Sequence, residues 1–155
     1  MPLSPYVARF REAFGHDLLH LPGVCALIWD DQHQVLLGRE PLTEQWGVIG
    51  GGVELGESPE DAVLREVWEE CGVEVSLQGV AAVVGGPRYQ VTYDNGDLVE
   101  YVATIFDAEI VAGSSVPDGG EIAELKWFTK REAQRLNLFP FARNLFEDLR
   151  WDLGA

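Results

Sequence analysis

Residues 51–73 read GGVELGESPEDAVLREVWEECGV. Ser58 is a good N-cap, Pro59 suits a first helical turn, and Asp61 lies three residues after the cap, close to a capping box. Gly72 is a natural residue for the end of a helix, so the spacing predicts a helix through Cys71. At about 100° per residue, Val63, Leu64, Val67 and Cys71 share an arc that should pack on a sheet. Glu66, Glu69 and Glu70 share a second arc, with no Lys or Arg on it. Their i,i+3 and i,i+4 repulsions cost a few tenths of a kcal/mol each, so something positive should offset them. Carboxylate oxygens without His or Cys at ligand spacing suit Mg²⁺ or Mn²⁺ better than zinc. A solvated acidic face would account for three glutamates, but not for Gly51, Glu57, Arg65 and Gly72 at fixed offsets.

Those offsets run Gly51, five residues, Glu57, seven residues, then Arg65-Glu66-Val67-x-Glu69-Glu70-x-Gly72-Val73. The pattern resembles the box of the Nudix (MutT-like) hydrolase family, with every specified position filled. Seven fixed identities at about 7% usage each coincide by chance roughly once in 10⁸ windows. The resemblance implies an α/β/α sandwich with a mixed β-sheet between helices, and metal-dependent hydrolysis of a nucleoside diphosphate linked to another moiety. It implies metal ligands at Glu66, Glu69 and Glu70, with the Gly50 carbonyl as an additional ligand and Glu57 acting through water. Arg65 is expected to orient a box carboxylate, Glu57 first.

Outward from the box, Gly50, Gly51 and Gly52 permit positive φ and close approach of backbone to a ligand. The family commonly carries Pro just before its paired glycines, where this chain has Ile49. Trp46 can pack or stack on a base. Residues 22–30 and 34–39 read as a buried strand and its hairpin partner across Asp30–His33. Arg39, ending the second, can reach a phosphate or pair with an acid. Residues 73–84 read as a strand, and 88–93 with 98–111 as a hairpin through Asn95-Gly96. Arg88, Tyr89 and Tyr93 can line a nucleotide pocket or a solvated sheet face. Residues 112–120 form a loop and 121–128 a strand. Thr129 and Glu132 form a capping box for a helix to about Leu136, and a final helix carries Phe141, Leu145, Phe146 and Leu149. At the other end, Ser4-Pro5 starts a helix to Phe14 with Val7, Phe10 and Phe14 on one side. His16 and His20 lack a third metal partner and read as surface residues.

The chain has 155 residues, 46% of them hydrophobic, 11 basic and 26 acidic, for a net charge of −15. One domain, 1–155, accounts for this length. The charge argues against long nucleic acid or an anionic membrane surface as partner. A small nucleotide remains, docked through metal. Cys25 and Cys71 read as buried thiols, the start shows no signal peptide, and no apolar run is long enough for a membrane span. These features suit a cytoplasmic protein and leave monomer and homodimer both open.

Hydrolysis also needs a general base. The family places it on the box helix, here Glu66 or Glu69, or on a downstream loop, here Glu121 first and Glu124 second. Tyr89 resembles a marker of dinucleoside polyphosphate hydrolases and Pro87 one of ADP-ribose hydrolases, so ADP-ribose, dinucleoside polyphosphates and nucleotide sugars all stay open. The competing readings are a nucleoside triphosphate pyrophosphohydrolase and a nucleotide sensor without turnover.

Overall fold

A computed structural model describes residues 4–153. Strand β1 (Leu19–Ile28) organises the chain. It pairs antiparallel with β4 (Ile49–Gly52) on one side and parallel with β7 (Leu98–Ala112) on the other, and β5 (Glu74–Val84) and β6 (Gln90–Thr92) complete this mixed sheet along β7. From Gly23 to Ile28 every β1 residue is buried, which explains its unbroken apolar run. Its alternate side chains feed two cores. Val24, Ala26 and Ile28 meet helix α2 (Pro59–Cys71) through Ala62, Val63, Val67 and Cys71. Cys25 and Leu27 join Ala142, Leu145 and Phe146 of helix α4 (Pro140–Asp148) on the other face, where Phe146 stacks on Trp151 at 4.1 Å. The expected α/β/α arrangement is therefore present.

A second, three-stranded sheet modifies it. Strand β2 (Val35–Arg39) lies between β3 (Trp46–Gly47) and β8 (Glu124–Phe128). The hairpin expected between residues 22–30 and 34–39 forms only its turn. Asp30 accepts the N–H groups of Gln32 and Gln34, a single bridge joins Trp29 to Val35, and β2 then departs. Both edges of β1 are already taken by β4 and β7, so β2 pairs elsewhere.

Other boundaries shift for local reasons. Residues 87–89 form a turn of 3₁₀ helix before β6, strand β8 begins at Glu124 rather than 121, and helix α3 (Lys130–Ala133) stops early although its capping box forms. Helix α1 (Pro5–Phe14) buries no residue, and Phe14 is exposed. It is tied instead by Arg11, which donates to the carbonyls of Gly15, Asp17 and Leu98 and pairs with the buried Asp97. Among the described residues no helix is long and apolar enough to cross a membrane.

Leu145 is fully buried between the α4 face and β1. Leu145→Ala is expected to cost about 2–5 kcal/mol of stability, read as a lower urea midpoint at unchanged slope.

Candidate active site

The site forms where α2 crosses the edge strand β4. Ser58 accepts the N–H of Asp61 at 3.1 Å, and Gly72 closes the helix in the left-handed region at φ 69°. The helix face differs from expectation at two positions. Leu64 is exposed and Ala62 takes its place in the core, while Glu70 does not turn away from the apolar stripe but is buried with Glu66. Glu70 reaches the backbone of β4, where the Gly50 N–H donates to Oε2 at 3.4 Å.

The glycines make room for these acids. None of Gly50, Gly51 and Gly52 has a positive φ, so their freedom is not conformational. A Cβ at Gly51 would lie 2.4 Å from Glu66 Oε1, and one at Gly50 would lie 2.2 Å from the Val24 carbonyl oxygen. Only a backbone without side chains admits the carboxylate on one face and β1 on the other.

Arg65 supplies the missing positive charge. Its Nε and Nη2 donate to both oxygens of Glu57, at 2.7 and 2.9 Å. Nη2 also donates to the Gly52 carbonyl at 3.0 Å, and Nη1 to Glu66 at 3.0 Å and Glu69 at 3.2 Å. The acidic arc is therefore compensated by the residue preceding it. The guanidinium holds the Glu57 carboxyl below its ordinary range, and Glu57 in turn accepts the Glu54 N–H. Glu69 projects into solvent.

Glu66 and Glu70 behave differently. Burial raises both carboxyls; the charge of Glu66, then that of Glu121, raises Glu70 further. Glu121, distant in sequence, thus shares the electrostatic field of the cluster. So do two tyrosines. The Tyr93 and Tyr101 hydroxyls lie 2.6 Å apart, and the Tyr101 ring covers Gly23, beside Gly51. Burial raises both hydroxyls first, with Glu66 contributing to each and Glu121 to Tyr93. Tyr101 is not singled out by the sequence because its signal is strand alternation; only the register against Leu21, two residues before Gly23, brings it here.

The remaining candidates lie elsewhere. Arg39 and Glu124 face each other across β2 and β8 and pair at 3.2 Å, so Arg39 is held by an acid and Glu124 by Arg39. Trp46 packs edge-on to Phe128 at 4.9 Å and bonds through its backbone to Asn137 and Phe139. Arg88 is held by Glu147 and Asp148 of α4. Tyr89 is buried against Phe141 with its hydroxyl on Asp148, so its ring belongs to the core. Cys25 and Cys71 are free, buried thiols.

The NUDIX domain family matches residues 19–149. The chain belongs to the Nudix hydrolase family. It is 40% identical to an RNA pyrophosphohydrolase of Roseobacter denitrificans over 83% of this chain and 88% of that one. It is 31% identical to a putative 8-oxo-dGTP diphosphatase of Bacillus subtilis over 70% of this chain and 66% of that protein, and it spans 32% of the length of the NAD-capped RNA hydrolase NudC of Pseudomonas aeruginosa. The crystal structure of a MutT protein from Methanosarcina mazei superposes with a TM-score of 0.71 at 25% identity, covering 90% of this chain and 99% of that one.

Nudix hydrolases generally use divalent metal ions. The donors here suit one: two buried carboxylates in mutual contact, a third on Arg65, and backbone carbonyls of a side-chain-free strand, all hard oxygens. Among the described residues no three acidic, His or Cys side chains form a ready-made cage.

Gly51→Ala forces the Glu66 carboxylate aside without touching either core. Turnover is expected to fall at least about 10²-fold, with the circular dichroism spectrum and cooperative melting retained.

Proposed function

We propose that residues 1–155 act as one Nudix domain that hydrolyses a phosphoanhydride bond in a small nucleotide derivative, with Mg²⁺ or Mn²⁺ as cofactor. The observation that carries this reading is the contact of Glu66 and Glu70, buried against Gly50 and Gly51. Arg65 offsets only part of this charge, one guanidinium serving Glu57, Glu66 and Glu69 while Glu70 is met by the Gly50 N–H, and a cation is the ligand that would offset the rest. Glu66 and Glu70 would hold the ion directly, with the Gly50 carbonyl beside them, Glu57 through water, and Glu69 at the solvent side. When bound, the ion neutralises phosphate oxygens and makes water a better nucleophile.

The chain's own groups perform the rest. Glu121 takes the proton of the attacking water; its carboxylate lies in the field of Glu70. Water adds to phosphorus as the bridging P–O bond breaks, giving two phosphorylated products. Arg65 does not touch substrate; it fixes Glu57, Glu66 and the Gly52 carbonyl together. Tyr93 and Tyr101 share one hydrogen bond between two hydroxyls, which leaves a further donor for a phosphate oxygen.

The substrate class is a nucleoside diphosphate linked to another moiety, such as ADP-ribose, a dinucleoside polyphosphate or a nucleotide sugar. The relatives' names add nucleoside triphosphates to the field, among them 8-oxo-dGTP. The free thiols suit a reducing, cytoplasmic setting.

The test is a panel of ADP-ribose, diadenosine polyphosphates, UDP-sugars and nucleoside triphosphates with Mg²⁺ or Mn²⁺, products separated by chromatography. At least one is expected to be cleaved, and chelator to abolish cleavage. Glu70→Gln should lower kcat by orders of magnitude with the fold intact. Intact nucleotide bound tightly, with no product after long incubation, would establish a sensor instead.

Glu121→Gln is expected to lower kcat about 10²–10⁴-fold while leaving Mg²⁺ affinity within about threefold. An unchanged kcat would return the base to the box helix.

A further inference from the structure

The segment that delivers Glu121 is Gly- and Ser-rich, AGSSVPDGG from 112 to 120, yet it is tied at three points. At its middle, the Val116 N–H donates to the carbonyl of Cys71, the last residue of α2, at 2.9 Å. At its end, Ala123 donates to the Arg39 carbonyl at 2.8 Å. There Ile122, 7% exposed, fills the notch that Gly38 leaves; a Cβ at Gly38 would lie 2.9 Å from its Cδ1.

The third tie lies between these two. Asp118 Oδ1 accepts the N–H of Gly120 at 3.1 Å and of Ile122 at 2.9 Å, the residues on either side of Glu121. The Gly119 N–H returns to the Ile122 carbonyl at 3.0 Å, closing a turn that needs φ +82° at Gly119. A carboxylate accepting two backbone N–H groups makes stronger bonds than a neutral acceptor. Without it, Gly119 and Gly120 regain a wide range of backbone conformations. Asp118 itself is exposed and belongs to neither core.

We propose that Asp118 is the positioning residue for Glu121: its side chain holds the N–H groups of Gly120 and Ile122, one residue to either side of Glu121, and so aims that carboxylate at the Glu70 end of the site. The box helix takes part through Val116, so helix and base are registered against each other by a loop rather than by a strand pair. The proposal rests on the assignment of Glu121 as general base.

Two measurements test it, one independent of turnover. In Asp118→Ala, the Gly120 and Ile122 amides should exchange with solvent at least about tenfold faster by NMR, with the melting temperature near that of the parent. On the fastest-cleaved member of the panel, kcat should fall about 10–100-fold, with KM and Mg²⁺ dependence within about threefold. Asp118→Asn keeps an accepting oxygen and should restore most of both effects, which a loss of negative charge alone would not allow. In a Glu121→Gln background, Asp118→Ala should add less than about threefold. If Glu121→Gln lowers kcat while Asp118→Ala leaves kcat and both amides unchanged, the inference is overturned and the base assignment stands. If Glu121→Gln leaves kcat unchanged, the base assignment fails and takes the inference with it.

Discussion

The structure depends on two carboxylates being buried against a backbone that has no side chains. Glu66 and Glu70 are 4% and 6% exposed, a condition that acids rarely tolerate without a partner. Each neighbouring feature serves to tolerate it. Gly51 vacates the volume that Glu66 fills, Gly50 donates its N–H to Glu70, and Arg65 brings a delocalised charge to the flank. The Arg65 fork is planar, so a bidentate grip on Glu57 leaves its remaining N–H groups aimed at Glu66, Glu69 and the Gly52 carbonyl. Lys could make one of these contacts but not the set.

The fold supplies the stage for that contact through β1. A strand buried on both faces separates the core under α2 from the core under α4, and its alternation fixes what each face receives. At the β4 end this alternation continues through glycines. Val24 opposes Gly51 on the α2 face, where Glu66 sits, and Gly23 opposes Gly52 on the other face, where the Tyr101 ring sits. Acids and phenols thus reach the same short stretch of edge strand from opposite sides. A substrate at that edge can meet both without entering either core.

The box helix, its cap at Ser58, its stop at Gly72 and the Arg65–Glu57 pairing were legible because they are local: caps, periodicity and eight-residue offsets survive without knowledge of the fold. What failed was non-local. The β1–β2 hairpin reads correctly from sequence as two apolar runs around a turn, but strand partners are decided by which edges are vacant, and β4 and β7 occupy them. Tyr89 resembles a pocket residue by its distance from the box, yet the 3₁₀ turn at 87–89 rotates it into the α4 core. The three glycines suggested positive φ and close approach alike, and the structure uses only the second. Glu121 was identifiable as an acid after a glycine-rich loop, whereas the tie by Asp118 depends on side-chain direction. Tyr101 needed the parallel register of β1 and β7.

Charge decides what kind of anion can approach. The net charge is −15, and several arginines are engaged by acids: Arg11 by Asp97, Arg39 by Glu124, Arg65 by Glu57, Glu66 and Glu69, and Arg88 by Glu147 and Asp148. A nucleic-acid backbone gains affinity by replacing counterions with free Lys and Arg along a track, and arginines so engaged cannot be part of one. Screening at physiological salt acts over about 8 Å, so a compact substrate feels the site more than the surface. Under the proposed function, recognition is local: a cation at the buried pair, phenolic donors, and the N–H groups and carbonyls of the Gly50–Gly52 run. On that reading the proposed small nucleotide, its pyrophosphate placed beside Glu66 and Glu70, is favoured over a polymer that must also cross an acidic surface.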